Sequence, residues 1–238
     1  MFSPRNRTAV TWRRSERGEP NCDRAIVATY SRLAPIDDAW SWMTERKSLD
    51  AALSRASICN GEAVLEIAVG TGIGFRNLLL KNPEGRNVGI DLTEAMLRRA
   101  RQKAKRTGIP HSLEVGDARG LFFSQESFDA VLSNNMLGLL SNEDINRVLC
   151  EMVRVLRPGG RLVLVTMSCP NRKIARYVYR LGAIRLGAWR DVRLVPMVIK
   201  AGFYDVKVEV VTQLGMPSEI VTARKSASQI RAQIVGGL

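Results

Sequence analysis

Val64-Leu-Glu-Ile-Ala-Val-Gly-Thr-Gly-Ile-Gly74 is the stretch that decides the fold of this chain. It begins as an apolar run with β-branched residues, breaks at Gly70 and Gly72, and leads into a segment with helical spacing. This pattern predicts a buried strand that turns tightly into a helix. Because glycine has no Cβ and the first helical N–H groups lack partners, such a turn can hold a nucleotide-like ligand. A tight turn that binds nothing also favours glycine, so both interpretations stand at this point.

The composition describes a basic globular protein. Its 238 residues carry 36 Lys and Arg against 23 Asp and Glu, a net charge of +13, and 45% are hydrophobic. This length suits one α/β domain, and the charge favours an anionic partner such as RNA, acidic lipid or a phosphorylated metabolite. Four scattered cysteines without a Cys-x-x-Cys pair indicate neither a zinc site nor a disulfide framework. We therefore predict no metal and a cytoplasmic location.

Both ends of the chain differ in character from its middle. Residues 1–22 are polar and aperiodic, and their arginines predict a basic disordered tail, with an organelle transit segment as the alternative. Residues 226–238 are also predicted as a tail. Helical spacing predicts two N-terminal helices over 23–57, separated by a break at Pro35. No apolar run approaches the ~20 residues that span a bilayer.

From Val64 onward, strand-like and helix-like segments alternate, which predicts a doubly wound, mostly parallel sheet covered on both faces. We expect helices over 74–81, 93–107 and 142–156, and strands over 87–91, 112–116, 128–134 and, after a Pro158-Gly159-Gly160 turn, 161–167. A basic helical segment over 170–202 and two strands, over 205–213 and 219–225, follow. The predicted domain is thus 23–225, with its ligand-binding core over 64–167.

Two acids stand where predicted strands end. Asp91 lies about 20 residues beyond the glycine turn, the separation at which an acid reaches ribose hydroxyls. Its alternative role is a cap for the helix that begins at Thr93. Asp117 follows the third core strand, where a carboxylate can accept a hydrogen bond from an adenine amine while Ala118 leaves room for the ring. Taken alone, Asp117 would be a loop aspartate.

The order of these motifs resembles class I S-adenosylmethionine-dependent methyltransferases. The matching stretches are Glu66-x-Ala-x-Gly-x-Gly, Gly-Ile-Asp91-Leu-Thr-Glu-Ala-Met-Leu, Gly-Asp117-Ala, Ser127-Phe-Asp-Ala-Val-Leu and Leu156-Arg-Pro-Gly-Gly-Arg-Leu. Tyr30-Ser-Arg-Leu-Ala-Pro-Ile-Asp-Asp is similar to a Tyr-x-x-x-Ala-Pro-x-Tyr-Asp stretch of the ubiquinone/menaquinone-biosynthesis C-methyltransferases and related small-molecule and phospholipid methyltransferases. The resemblance implies a Rossmann-like seven-stranded sheet whose last strand is antiparallel.

The resemblance also implies S-adenosylmethionine as cofactor and roles for matching positions. Glu66 would organise the methionine end, Asp91 the ribose, and Asn134 would face the reactive methyl. The full set implied for the cofactor is Glu66, Ala68, Gly70, Gly72, Asp91, Leu92, Met96, Asp117, Ala118 and Asn134. Two positions depart from the family: Ala68 replaces a frequent glycine, and Asp37 replaces the tyrosine of the Pro-x-Tyr-Asp stretch, which puts the family's usual substrate in question.

The acceptor side is less defined. Methyl transfer from a sulfonium needs alignment, and a base only when the acceptor must lose a proton. Candidates for contacting the acceptor are Tyr30, Asp37, Asp38 and Trp40, together with Tyr177 and Arg190 in a lid over 170–202; the alternative roles are helix capping and packing. His111 precedes a strand at the end away from the ligand and is expected on the surface.

The residues leave three functions open. The leading hypothesis is methylation of carbon, oxygen or nitrogen in a small lipophilic or anionic acceptor, such as a quinone precursor, a secondary metabolite or a phospholipid. A cofactor-binding protein that does not methylate is the alternative. RNA methylation is disfavoured because the basic run 98–106 lacks interleaved aromatic residues. The basic amphipathic segment 171–193 also fits docking on an anionic membrane surface. No pattern assigns an oligomeric state.

Overall fold

Strands and helices alternate in the computed structural model, which describes residues 27–31, 45–168 and 192–226. The strands are β1 (Ala63–Ile67), β2 (Arg86–Asp91), β3 (Ser112–Val115), β4 (Phe128–Asn134), β5 (Leu156–Met167), β6 (Phe203–Gln213) and β7 (Met216–Lys225). The helices are α1 (Arg46–Arg55), α2 (Ile73–Lys81), α3 (Glu94–Lys105), α4 (Asn142–Val155) and α5 (Leu194–Lys200), with a 3-10 turn at Leu137–Leu139. Residues 27–31 are also helical.

The seven strands form one sheet in the order β3-β2-β1-β4-β5-β7-β6. The pairs among β1 to β5 are parallel, and β7 is antiparallel to both β5 and β6. This confirms the expected mostly parallel sheet with an antiparallel last strand. The chain runs outward from β1 to β3 and then returns to β4, so the strand order reverses between β1 and β4. Ligands of open α/β sheets bind beyond the carboxyl ends of the strands at such a reversal.

Two apolar layers cover the sheet because its central strands alternate buried side chains between both faces. Leu65 and Ile67 of β1 pack in the layer that contains α4 and α5, whereas Val64 packs in the layer with α1, α2 and α3. α4 contributes residues at helical spacing, namely Ile145, Val148, Leu149, Met152 and Val155, all of them buried. Glu66 therefore points from β1 into the layer of α1 to α3, opposite to α4.

Three strands begin two or more residues earlier than expected. Pro158-Gly159-Gly160 does not form a turn before β5; it lies inside the strand as a bulge, where pairing shifts from Phe128↔Leu156 to Ala130↔Arg161. Gly159 absorbs the bulge with a φ of 73°. β6 and β7 begin earlier than expected, at Phe203 and Met216, because they pair with each other across a tight turn at Leu214 and Gly215. Within the described residues, no helix is long and apolar enough to cross a membrane.

Candidate cofactor-binding site

The glycine turn after β1 uses its glycines for different purposes. Gly70 and Gly72 both have left-handed backbone, with φ of 54° and 85°. A Cβ on Gly72 would lie 2.6 Å from Cα of Ala100, so this glycine permits α2 to pack closely against α3. A Cβ on Gly70 would meet none of the described residues within 4 Å. Gly72 is therefore needed for packing, whereas the backbone at Gly70 borders open space.

Ala68 also has left-handed backbone, with a φ of 59°. This conformation costs an alanine roughly 1 kcal/mol because its Cβ crowds the following carbonyl oxygen. Glycine would adopt this backbone conformation without strain. The alanine at position 68 therefore lowers the stability of the turn relative to glycine.

Asp91 ties the glycine turn to the end of β2. Its Oδ2 accepts a hydrogen bond of 2.9 Å from the N–H of Gly70, and its Oδ1 accepts one of 2.8 Å from the N–H of Thr93. Burial raises the pKa of this carboxyl, while the backbone hydrogen bonds from Thr93 and Gly70 act in the opposite direction. Thr93 itself occupies the N-cap position of α3, without a side-chain cap bond.

Glu66 and Asn134 meet across the neighbouring strands β1 and β4. Nδ2 of Asn134 donates a hydrogen bond of 3.3 Å to Oε1 of Glu66. Glu66 is only 2% exposed, and this burial raises the pKa of its carboxyl to about 8. Within the described ranges no Lys, Arg or His forms an ion pair with it. The site therefore holds a buried carboxyl whose hydrogen-bonding partner is neutral.

Gly74 lies against the Glu66–Asn134 pair, although sequence reasoning gave it no role. A Cβ at this position would lie 2.7 Å from Oε1 of Glu66 and 3.5 Å from Nδ2 of Asn134. Gly74 thus leaves the space that the Glu66 carboxyl occupies. Its place as the third glycine of the Gly70 stretch was the available signal.

Asp117 lies after β3 in a tight pair with Arg119, a partner that sequence reasoning missed. Its carboxylate accepts from Nε and Nη2 of Arg119 at 2.7 to 3.1 Å and from the backbone N–H of Arg119 at 2.9 Å. Ala118 between them is buried. A cation two residues after the aspartate was the signal for this pair.

Asn135 is a second residue that sequence reasoning missed. It follows β4 with left-handed backbone, at a φ of 53°, and its N–H donates to the carbonyl oxygen of Val165 at 2.8 Å. Both polar atoms of its side-chain amide are buried and lack a hydrogen-bond partner among the residues that the structure describes. Unpaired buried polar atoms are rare, so this end of β4 has spare capacity for hydrogen bonding.

The remaining predicted residues are placed as follows. Met96 is buried on α3, and Leu92 is half-buried beside Asp91. Tyr30 is half-buried within the helical residues 27–31. His111 is half-buried before β3, edge-on to Phe75 with ring centroids 6.1 Å apart. The other candidates lie outside the described residues: Asp37, Asp38, Trp40, Tyr177 and Arg190.

The part of the chain that holds the glycine turn and the strand ends is similar to known proteins. Residues 64–160 match the methyltransferase domain family. A phosphatidylethanolamine N-methyltransferase of Cereibacter sphaeroides is 31% identical over 170 residues, which cover 66% of this chain and 79% of that protein. The chain belongs to the class I S-adenosylmethionine-dependent methyltransferases. A demethylmenaquinone methyltransferase of Tropheryma whipplei (strain Twist) is 39% identical over 161 residues, or 66% of this chain.

Solved structures show how widely this methyltransferase fold is used. A phosphoethanolamine N-methyltransferase 2 of Haemonchus contortus superposes with a TM-score of 0.71 at 17% identity, covering 86% of this chain and 60% of that one. The [4+2]-cyclase SpnF superposes with a TM-score of 0.63 at 20% identity, covering 76% of this chain and 80% of that one. The match spans 64% of the Tropheryma relative's length. Membership of the methyltransferase family therefore leaves the acceptor to be argued from the site.

Proposed function

We propose that this chain binds S-adenosylmethionine at the carboxyl edge of β1 to β4 and transfers its methyl group to a small acceptor. The observation that carries the proposal is the Asp91 carboxylate, bonded to the N–H of Gly70 beside the open face of the glycine turn. The Glu66–Asn134 pair lies on the adjacent strands. Family membership supports the same assignment, since the relatives named above are methyltransferases.

The residues present fit this cofactor chemically. The Asp91 oxygens accept the N–H groups of Gly70 and Thr93, and because a carboxylate offers about four acceptor sites, a ribose hydroxyl can be bound as well. Among the described residues, the buried Glu66 carboxyl is bonded to the neutral amide of Asn134, and it would complement the ammonium group of the methionine end. Asp117 would accept from the adenine amine, with the apolar side chains of Leu92, Met96 and Ala118 beside the ring.

In the proposed reaction the protein acts mainly by orientation. The cofactor supplies a sulfonium-activated methyl group. The chain's own residues hold that end through Glu66, Asn134 and the glycine turn, so that an electron-rich acceptor atom can approach in line. A base is required only for an acceptor that must lose a proton. Tyr30, Asp37, Asp38 and Trp40, with Tyr177 and Arg190, are our candidates for contacting the acceptor.

We infer that the acceptor is lipophilic or anionic, such as a quinone precursor or a phospholipid headgroup. One relative is named for a quinone precursor, demethylmenaquinone, and another for a phospholipid, phosphatidylethanolamine. The net charge of +13 favours anionic molecules. Purified protein would be incubated with methyl-labelled cofactor and either a demethylated naphthoquinol in detergent micelles or phosphatidylethanolamine vesicles. Label in one of these acceptors is the expected result, and Asp91→Asn should reduce it.

The alternative is a cofactor-binding protein that does not methylate. The replacement of tyrosine by Asp37 in the Pro-x-Tyr-Asp stretch favours it. Tight binding of S-adenosylhomocysteine without label in any acceptor, including a cell extract, would support this alternative and overturn methylation. Label in RNA from the same extract would instead identify an RNA methyltransferase.

We further propose that the protein associates with anionic membrane surfaces. Arg98 and Lys105 are exposed on the outer face of α3, opposite to its buried residues, and Arg106 is exposed directly after the helix. Clusters of Lys and Arg bind acidic lipids with a strong dependence on salt. Co-sedimentation with phosphatidylglycerol vesicles at low salt, and its loss at high salt, is expected. Equal sedimentation with neutral phosphatidylcholine vesicles would contradict the proposal.

A further inference from the structure

The loop between β3 and β4 is held by α4 at two separate places. Near its start, Arg119 lies between two aspartates. Its Nη2 is 2.7 Å from Oδ2 of Asp117, and its Nη1 is 3.6 Å from Oδ2 of Asp144 in the first turn of α4. The Arg119 side chain is 9% exposed, so its charge is largely withdrawn from water. Because Arg119 contacts the Asp117 carboxylate through two nitrogens and is nearly buried, the relative orientation of the two groups is fixed.

Further along the loop, Glu151 and Arg154 of α4 hold the backbone. Oε2 of Glu151 accepts from the N–H of Leu121 at 2.7 Å, and Arg154 donates to the carbonyl oxygens of Leu121 and Phe123, each at 2.7 Å. Arg154 also forms a bidentate pair with Glu151 at 2.8 Å. Residues 121–123 are thereby anchored without involving Asp117. The two anchors have no residue in common.

The Arg119 fork leaves Asp117 with limited hydrogen-bonding capacity. Three N–H groups of Arg119 donate to the carboxylate. The backbone N–H donates to Oδ1 and Nη2 donates to Oδ2, while Nε donates to both oxygens. A carboxylate has about four acceptor sites, so these three donors from the described residues leave about one. The Asp117 side chain is 35% exposed. One donor from a ligand can therefore still reach it.

We propose that Arg119 is a positioning residue for base recognition. It fixes the plane of the Asp117 carboxylate against α4 and leaves one acceptor site, which selects a purine that presents an amine over one that presents a carbonyl oxygen. This proposal rests on the proposed function, in which Asp117 contacts the adenine amine. Lysine at position 119 would keep the charge but lose the fork, because an ammonium cannot fix a carboxylate plane bidentately.

The test compares two ligands by calorimetry: S-adenosylhomocysteine and S-inosylhomocysteine, in which a carbonyl oxygen replaces the exocyclic amine. We expect the wild-type protein to prefer the adenine ligand by about tenfold to a hundredfold, the contribution of one charge-assisted hydrogen bond. Arg119→Lys should reduce this preference by about fivefold or more, and Asp117→Asn should abolish it. The preference is a ratio, so a general loss of affinity or stability does not change it.

Arg154→Lys is the matched control, because it disrupts the other bidentate anchor of the same loop without touching Asp117. It should lower the melting temperature but leave the base preference of the wild type. If the base preference of Arg119→Lys stayed within twofold of the wild-type value, the positioning role would be overturned and the proposed function would remain intact. Failure of the wild-type protein to bind S-adenosylhomocysteine would overturn both proposals.

Discussion

The N–H of Gly70 donates a hydrogen bond of 2.9 Å to Oδ2 of Asp91, and this contact links the glycine turn of β1 to the end of β2. The same carboxylate accepts from the N–H of Thr93 at the start of α3. Asp91 thus organises two turns before any ligand arrives. A ligand bound here meets acceptor sites that are already fixed, which lowers the ordering cost of binding.

Asp91→Asn is expected to weaken binding of S-adenosylhomocysteine by about tenfold to a few hundredfold, from one or two lost charge-assisted hydrogen bonds. Calorimetry measures the change. The matched control is Asp129→Asn: Oδ2 of Asp129 accepts from the N–H of Ala63 at 2.9 Å, at the opposite end of β1. An unchanged dissociation constant in Asp91→Asn would show that Asp91 only shapes the turns.

Glu66 is expected to make stability depend on pH. Its folded-state pKa of about 8 lies above the ordinary value of 4.5, so the folded ligand-free protein holds a proton that the unfolded chain releases. The free energy of unfolding should therefore fall as pH rises from about 5 to 8, by on the order of a few kcal/mol. Glu66→Gln removes this contribution, so its stability relative to wild type should increase across that range.

Urea unfolding of both proteins at several pH values isolates Glu66, because the raised pKa of Asp91 contributes to both. Parallel pH profiles for the two proteins would contradict the prediction. In the wild-type protein, affinity for S-adenosylhomocysteine should also rise with pH towards 8, because the ammonium of the ligand binds the ionised carboxylate better.

Gly72→Ala and Gly74→Ala should fail in different ways. A Cβ at Gly72 meets the backbone of Ala100 at 2.6 Å, so Gly72→Ala should lower the free energy of unfolding by about 1 to 3 kcal/mol. A Cβ at Gly74 meets the side chain of Glu66 instead, which can shift away. Gly74→Ala should therefore lose ligand affinity with a smaller loss of stability. Equal stability losses without a difference in affinity would be evidence against the assigned roles.

Ala68→Gly is expected to stabilise the protein slightly. Its φ of 59° is unfavourable for alanine and neutral for glycine. The relieved strain, about 1 kcal/mol, is partly offset by the greater entropy of the unfolded glycine chain. Thermal unfolding should show a small rise in melting temperature. Ala56→Gly is the contrasting control, because Ala56 ends α1 with φ of −60° and should only lose stability.

The amino-acid sequence by itself determined the sheet and the strand-end acids. Apolar runs, glycine breaks and helical spacing are local properties, so they predicted the seven strands, the turn at Gly70 and the acid at Asp91. The same patterns misplaced the Pro158-Gly159-Gly160 bulge, because a bulge is defined by pairing with β4, which is distant in the chain.

Only the tertiary structure decided which side chains meet. Oε1 of Glu66 bonds to Asn134, 68 positions away in the chain, and Gly74 leaves room for it. Arg119 reaches Asp144 of α4 as well as Asp117, and the buried amide of Asn135 lacks a partner within the described part of the chain. Contact, burial and the resulting pKa of Glu66 depend on how the layers pack. That packing is set by the whole core, which is why no single stretch of sequence reveals it.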